Sequence, residues 1–485
     1  MKAAENNFGK VYLAGAGPWD EGLVTLKCAE VLSRADAVVF DSLVNPSVLN
    51  LANDGAELIY AGKRAGRHSM PQEEINAVLI RLAKDGKSVV RLKGGDPYIF
   101  GRGGEEAEAL TAEGIEFEVI SGVSSAYAVP AAAGIAVTDR KFASSVHIIT
   151  GHSGVSGNAP DYEVLARLRD TLVFMMGKAA LPEIAAELIK NGKPASTPCA
   201  VVSEGTSPRQ QCVSGTLADI AEKAERLPSP AVIVVGAAAG RIFEQKKSGM
   251  LSGKRIINAG RRGTLGDLEA EALGAEVLRI PLIRTRKTDN AADISGCGCI
   301  AFASAAGVQA FFEAYRGDIR KLAGIKIAAV GARTAEEIKK HAIIPDIIPQ
   351  NSNAEGLCGE LSKALEKGTR ILLPCSVQGG AELCEGLKAA GFDAVRAELY
   401  STEPDFSRAE LLRLYEETAD YIILTSGSCA DAYMKMTSGK STAKLIAIGR
   451  AAAERAEGLG LKISASAKTP DAAGVIEAVL GCGCV

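Results

Sequence analysis

The chain has 485 residues, 55 basic against 58 acidic side chains, a formal net charge of -3 and no basic tail, so long-range attraction to nucleic acid or to an anionic membrane is not encoded globally. At about 100 to 200 residues per domain it is long enough for roughly two to four units, each with its own core. The start, Met-Lys-Ala-Ala-Glu-Asn-Asn-Phe, lacks the charged-then-apolar order of a signal peptide, and no apolar run reaches the ~20 residues of a membrane span. A soluble cytoplasmic enzyme is the expectation. Eleven scattered cysteines, many in apolar stretches (Cys28, Cys199, Cys384), fit reduced thiols.

In chain order, residues 9 to 240 alternate strand-like runs with alanine-rich helical stretches: Val11–Ala14, Ala37–Phe40, Val146–Ile149, Thr171–Phe174 and Ala231–Val235. That pattern predicts an α/β fold. After Val11–Ala14 comes Gly15-Ala16-Gly17-Pro18. With no third glycine at the required spacing and a proline after the second, it does not make a dinucleotide fingerprint. Asp41 follows the strand Val38-Val39-Phe40, where it reads either as a strand-end catalytic carboxylate or as a turn residue. Lys63, Arg64, Arg67 and His68 form a basic cluster. Residues 91 to 106 are the most informative segment. Val89–Leu92 reads as a buried strand, Gly94-Gly95 as backbone that a ligand approaches closely, Arg102 as a further cation, and Glu105-Glu106 as the opening of a helix. Loops at the carboxyl ends of strands are where open α/β sheets bind ligands.

A polar stretch, Glu244–Gly249, separates this region from a new strand at Lys254–Ile257, which puts a boundary near residue 250. Beyond it the chain repeats itself weakly at an offset of about 115 to 122 residues. Arg255-Ile256-Ile257 is echoed by Arg370-Ile371-Leu372, Ile300–Ser304 by Ile422–Ser426, and Ile327–Gly331 by Leu445–Gly449. A duplicated, two-lobed α/β unit is expected. Cys297-Gly-Cys299 and Cys482-Gly-Cys484 lack zinc-ligand spacing and have no histidine nearby, so they read as a loop and a tail, and no metal is expected.

From Gly9 to Ala237 the chain resembles the uroporphyrinogen-III C-methyltransferase family of tetrapyrrole methylases. The likeness runs through Gly15-Ala-Gly17-Pro18, Phe40-Asp41-Ser42-Leu43-Val44, Gly62–His68, Pro71–Asn76, Arg91–Glu106, Thr150-Gly151-His152, Met176-Gly177 and Glu204-Gly205-Thr206. The resemblance implies a two-lobed methylase fold over residues 9–245 and S-adenosyl-L-methionine as cofactor. It implies that Pro18, Gly94, Gly95, Asp96, Ile99, Ser124, Ser125, Met176 and Gly205 surround that cofactor, with Asp41 and Lys63 in acid–base roles. The substrate, uroporphyrinogen III, carries eight carboxylates. Arg64, Arg67, His68 and Arg102 are the side chains expected to bind them, since a guanidinium matches a carboxylate bidentately. Trp19, the only tryptophan, stands where the family has glycine; it leans on a ligand or caps its loop.

Residues 252–480 resemble uroporphyrinogen-III synthase, through the duplication and through Phe302–Val308, Ala329–Ala335, Ala354–Leu357, Glu398-Leu399-Tyr400 and Thr425-Ser426. That resemblance implies cyclisation of hydroxymethylbilane, with Tyr400 as proton donor and Ser304, Ser426 and Thr469 on the carboxylates. By residue type alone Tyr400 reads rather as a core tyrosine with a wet hydroxyl. Cys375 replaces an arginine common in that family. The whole implies a bifunctional enzyme making precorrin-2 through precorrin-1 for siroheme or cobalamin, with small-molecule tetrapyrroles as partners, no nucleic acid or membrane, and a homodimer formed through the methyltransferase half. Two other readings stay open: a non-catalytic tetrapyrrole-binding carboxyl half, and a methylase of RNA or protein.

Overall fold

The computed structural model describes residues 8–62, 70–151, 160–243, 249–260, 266–351 and 353–482. Lys63, Arg64, Arg67, His68 and Cys484 lie outside the described residues. Alternation of short apolar runs with capped helices gives the expected α/β architecture, and among the described residues the main strands form four five-stranded sheets.

The first sheet contains β1 (Val11–Gly15), β2 (Ala37–Phe40), β3 (Glu57–Tyr60), β4 (Val89–Lys93) and β5 (Phe117–Ile120). Its order is β3-β2-β4-β1-β5 and every pair is parallel. β2 is buried along its whole length, as its continuous apolar run requires for a strand covered on both faces, and β4 is equally buried although it carries Arg91 and Lys93. Leu13, Val39, Leu79, Leu82, Val89 and Leu110 make one core beside it. The second sheet holds β6 (Val146–Thr150), β7 (Thr171–Met175), β8 (Pro198–Ser203), β9 (Gln211–Thr216) and β10 (Ala231–Val235), in the order β6-β7-β10-β8-β9. Only β6 and β7 run parallel; the β7–β10, β10–β8 and β8–β9 pairs are antiparallel. Phe174, Ile184, Leu188, Val201 and Ile233 fill its core. Polar β9 is an edge strand, which is why alternation alone did not mark it.

The remaining strands are β11 (Arg255–Asn258), β12 (Glu276–Arg279), β13 (Ile283–Lys287), β14 (Cys299–Phe302), β15 (Lys326–Ala329), β16 (Arg370–Ser376), β17 (Asp393–Pro404), β18 (Tyr421–Leu424), β19 (Lys444–Ala447) and β20 (Ile463–Ser466). They build two sheets, β12-β11-β18-β19-β20 and β13-β17-β16-β14-β15. The sequence echo is visible in them: β12-β11-β18-β19 corresponds strand for strand to β17-β16-β14-β15. The copies are interleaved, however. β11 pairs with β12 on one side and on the other with β18, Ile256 lying opposite Tyr421, while the chain between β12 and β18 forms the other sheet.

The chain divides into two compact units, residues 1–282 with 406–485, and residues 283–405. The first unit therefore holds the first two sheets together with β11, β12 and β18–β20, so the boundary read near residue 250 falls inside it. Cys297 and Cys299 are both buried, and Cys299 is a core residue of β14 rather than part of a loop. Among the described residues no helix is long and apolar enough to cross a membrane.

Burial pushes the Cys28, Cys199 and Cys299 thiols up to about 12, and a thiol held that high is almost wholly protonated and unreactive. With native protein at pH 8, Ellman's reagent should modify exposed Cys212 and leave these three untouched until the chain is unfolded. Peptide mapping that finds Cys199 labelled as fast as Cys212 would contradict the packing of β8.

Candidate active site

Three loops at the carboxyl ends of β1, β2 and β4 converge because the order of the first sheet places β1 and β2 on either side of β4. Gly17 and Gly95 clasp each other: Gly95 N donates to Gly17 O at 2.7 Å and Gly17 N to Gly95 O at 3.2 Å. Both have positive φ, +77° and +68°. A Cβ on Gly94 would come within 2.7 Å of Leu43. One placed on Gly15 or Gly122 would lie 2.4 or 2.1 Å from Gly95 O, so the strand ends pack backbone on backbone.

These loops and the ends of β7, β8 and β10 enclose a cavity of about 730 Å³, a size suited to a cofactor together with part of a second ligand. Pro18, Gly94, Gly95, Ile99, Ser125, Met176 and Gly205 all line it, as do Asp41, Arg102 and Trp19. Asp96 and Ser124 sit one step behind. Asp96 Oδ1 accepts from Tyr98 N at 2.8 Å and Oδ2 from Gly122 N at 3.0 Å, tying the Gly94-Gly95 turn to the loop after β5. Ser124 caps the helix Ser125–Ala132, its Oγ accepting from Ala126 N at 3.3 Å.

Beneath the cavity lies an ion cluster that the sequence reading missed. Arg91 and Lys93 point to the same face of β4, as residues two apart on a strand must, and both line the cavity. Glu106, in the first turn of the helix Gly103–Ala112, is fully buried. Its Oε1 accepts from Lys93 Nζ at 2.9 Å, Arg91 Nε at 3.0 Å and Gln72 Nε2 at 3.3 Å. Its Oε2 is buried without a hydrogen-bond partner among the described residues. Arg91 Nη2 reaches Asp41 Oδ2 at 3.5 Å, and Leu43 N donates to Asp41 Oδ1 at 3.0 Å. Asp41 is thus a turn residue and a cavity carboxylate at once. Burial, then the neighbouring Arg91 charge, holds the Lys93 ammonium below the usual lysine range, with Glu106 opposing both. Arg102 and Glu105 instead make a bidentate pair, at 2.8 and 2.7 Å, on the exposed rim.

Backbone strain gathers here too. Trp19, Phe100, Arg102, Met176 and Glu204 have positive φ and line the cavity; Thr206, also positive, donates its hydroxyl to Pro18 O. Such conformations cost about 1–3 kcal/mol each and persist where the surroundings enforce them.

In the second unit Tyr400 lies in β17, 7 % exposed, with its hydroxyl 3.3 Å from Ser304 Oγ. Ser304 caps the helix Ala305–Ala314. In the first unit Ser426 caps the helix Gly427–Met436, and Thr469 Oγ1 donates to Asp471, the cap of the helix Ala472–Gly481. Cys375 is buried in β16, its thiol pushed up by burial and drawn back by Arg396.

Removing one partner of a buried ion cluster strands the other charges, at a cost of about 3–5 kcal/mol, whereas an exposed pair is worth about 0–1. Glu106→Gln should therefore lower the unfolding free energy of the first unit by that larger amount and Glu105→Gln hardly at all, as read by urea denaturation. Equal effects would show that the Arg91–Lys93–Glu106 cluster is energetically ordinary.

Comparison with known proteins supplies a family. The model of Tetrapyrrole (Corrin/Porphyrin) Methylases matches residues 10–221, and that of Uroporphyrinogen-III synthase HemD matches residues 267–477. The porphyrin biosynthesis protein HemD of Ruminiclostridium josui is 34% identical over 483 residues, covering 95% of this chain and 96% of that protein. An S-adenosyl-L-methionine-dependent uroporphyrinogen III methyltransferase of Methanosarcina barkeri is 51% identical over 234 residues, 47% of this chain and 92% of that protein. Siroheme synthases, such as that of Sodalis glossinidius at 48% identity over 236 residues, match in part only: the chain spans about half of their length (50%). Among solved structures, the uroporphyrin-III C-methyl transferase of Thermus thermophilus complexed with S-adenyl homocysteine is 38% identical, covers 48% of this chain and 99% of that one, and has a TM-score of 0.42. The chain belongs to the family of porphyrin-biosynthesis proteins that join a tetrapyrrole methylase to a uroporphyrinogen-III synthase HemD.

Proposed function

We propose that the protein is a bifunctional enzyme of tetrapyrrole biosynthesis, with a functional division between residues 9–245 and 252–480. The amino-terminal part transfers two methyl groups from S-adenosyl-L-methionine to uroporphyrinogen III, giving precorrin-2 through precorrin-1. The carboxyl-terminal part cyclises hydroxymethylbilane to uroporphyrinogen III. The observation that carries the first activity is the single cavity in which Asp41 meets the glycine cradle of Gly94-Gly95 and the cations Arg91, Lys93 and Arg102.

The cavity fits the cofactor. A zwitterionic sulfonium nucleoside without phosphate suits glycine backbone, the Ser125 hydroxyl and the Met176 thioether better than a basic cradle. When bound, the cofactor supplies an electrophilic methyl group. The protein's own contribution is alignment and a proton route. Methylation makes the substituted ring carbon quaternary, so the proton released comes from a pyrrole N–H or a bridging methylene of the macrocycle, and Asp41, held by Leu43 N and beside Arg91, takes it. Lys63, in the family's acid–base role, and the cluster Arg64, Arg67 and His68 complete the substrate side in this reading.

For the second activity, Tyr400 donates a proton to the departing hydroxyl of the bilane, with Ser304 beside it. Ser304, Ser426 and Thr469 receive carboxylates at helix amino termini. The partners are small-molecule tetrapyrroles rather than nucleic acid, the setting is cytoplasmic, and the assembly is a homodimer through the amino-terminal part.

The test is incubation of the full chain with hydroxymethylbilane, with and without S-adenosylmethionine. Methylated product is expected only with the cofactor, and uroporphyrinogen III without it. Asp41→Asn keeps volume and removes the base, so methyl transfer should fall about 10² to 10⁴-fold with cofactor affinity nearly unchanged by calorimetry. A loss below about threefold would leave Asp41 a turn residue only. Tyr400→Phe should slow cyclisation roughly 10²-fold. A wild-type chain yielding only the uninverted isomer I would make the carboxyl-terminal part a binding module.

A further inference from the structure

The methylation cavity is not walled by the amino-terminal half alone. Arg255 of β11, Glu276 of β12 and Tyr415, the last residue of the helix Ala409–Tyr415, line it as well. Arg279, at the end of β12, fixes this wall against the methylase loops. Its backbone N donates to Ser47 Oγ at 3.1 Å, its carbonyl accepts from Asn50 Nδ2 at 2.9 Å, and its Nη1 pairs with Glu21 at 2.5 Å. The same guanidinium is held from behind by Asp267 at 2.8 Å and Glu271 at 2.6 Å.

Two polar groups on this wall are buried and unspent. Glu276 is 3 % exposed; its Oε2 takes Arg255 Nε at 2.5 Å, while Oε1 has no hydrogen-bond partner among the described residues. Trp19 Nε1 is likewise buried without a partner. An acceptor and a donor left in this state forfeit their hydration, so a ligand able to satisfy both is favoured. The surroundings fix their position: Tyr415 meets the Trp19 ring edge-on at 6.1 Å, and the Arg255 guanidinium lies 5.4 Å over the Tyr415 ring. Tyr415 is close enough to Asp41 for that carboxylate to add to the effect of burial in holding its phenol above the usual range. Tyr415, Arg255 and Glu276 line the same cavity as Asp41.

We propose that the carboxyl-terminal lobe completes the substrate subsite of the methyltransferase: Glu276 Oε1 accepts a pyrrole N–H of the bound tetrapyrrole, and Trp19 Nε1–H donates to one of its carboxylates. Arg255 Nε, donating to Glu276 Oε2, aims the carboxylate. This rests on the reading that the amino-terminal half methylates a tetrapyrrole. It assigns the tryptophan that departs from the family's glycine to substrate recognition, and it makes the carboxyl-terminal half part of the methylation site.

The experiment uses full-length Glu276→Gln and Trp19→Phe, checked for folding by circular dichroism, with uroporphyrinogen III titrated at saturating S-adenosylmethionine. Loss of a charged or a neutral hydrogen bond predicts a rise in KM for the tetrapyrrole of about tenfold or more for Glu276→Gln and about three- to tenfold for Trp19→Phe, with the Kd for S-adenosylmethionine unchanged. Should Glu276→Gln fail to fold, Trp19→Phe, which keeps an aromatic ring against Tyr415, still decides. In the wild type the sole tryptophan reports occupancy directly, and its emission should be quenched on titration with uroporphyrin III. Unchanged tetrapyrrole KM in the folded variants, beside a wild type that methylates normally, overturns the subsite alone. Raised cofactor Kd in place of tetrapyrrole KM gives the wall to the cofactor and also overturns it. A wild type that neither binds uroporphyrin III nor methylates uroporphyrinogen III overturns the underlying function as well.

Discussion

The fully buried carboxylate of Glu106 is the constraint on which the methylase site depends. Two cations on one face of a strand in the middle of a parallel sheet cannot stay there without an anion, since the desolvation cost of each is several kcal/mol. Glu106 supplies that anion from the first turn of the next helix, where the helix dipole also favours a negative charge. One interaction therefore sets three things. It fixes how the helix Gly103–Ala112 returns onto β4, hence the shape of the Gly94-Gly95 turn between them. It holds Lys93 at the floor of the cavity. Through Arg91 it reaches Asp41 on the neighbouring strand β2.

Around this rigid floor the chain concentrates its strained backbone. The positive-φ residues Trp19, Phe100, Arg102, Met176, Glu204 and Thr206 come from loops of both the first and the second sheet, yet all gather at one cavity or its edge. The sheets that carry them are tightly packed, with Val39, Leu92, Phe174 and Val201 fully buried. Rigid strands with strained ends give a cavity that is shaped before any ligand arrives, and preorganisation of that kind is what alignment of two reacting groups requires.

The carboxyl-terminal strands show a different economy of the chain. The duplication is real at the level of sheets, but the chain begins one copy with β11 and β12, builds the whole of the other copy, and returns for β18 to β20. As a result β11, β12 and β18–β20 share a compact unit with the methylase sheets, joined through Arg279, Ser47 and Asn50. A linear division of the sequence and a division of the folded chain consequently differ.

The sequence by itself determined the α/β class, the strands at Val11, Ala37, Val89, Val146, Thr171 and Ala231, the glycine turns after β1 and β4, and the family. These are encoded locally, by apolar runs, turn residues and ordered motifs. It also singled out Asp41, Pro18, Gly94, Gly95, Ile99, Ser125, Met176 and Gly205, which the folded chain brings to one cavity. Tertiary structure decided the rest. Arg91 and Lys93 sat inside an apolar run and were read as part of a buried strand; the signal that could have revealed them, two cations at i and i+2 in a core strand, acquires meaning only when Glu106 is seen between them. Asp96 and Ser124 belong to the right loops, but whether a side chain faces a ligand or a backbone N–H depends on a neighbouring segment that no local pattern specifies. Trp19, Glu276 and Tyr415 each lie more than a hundred residues from the next in sequence, and their meeting follows from the packing of sheets, which is a property of buried surfaces rather than of spacing along the chain.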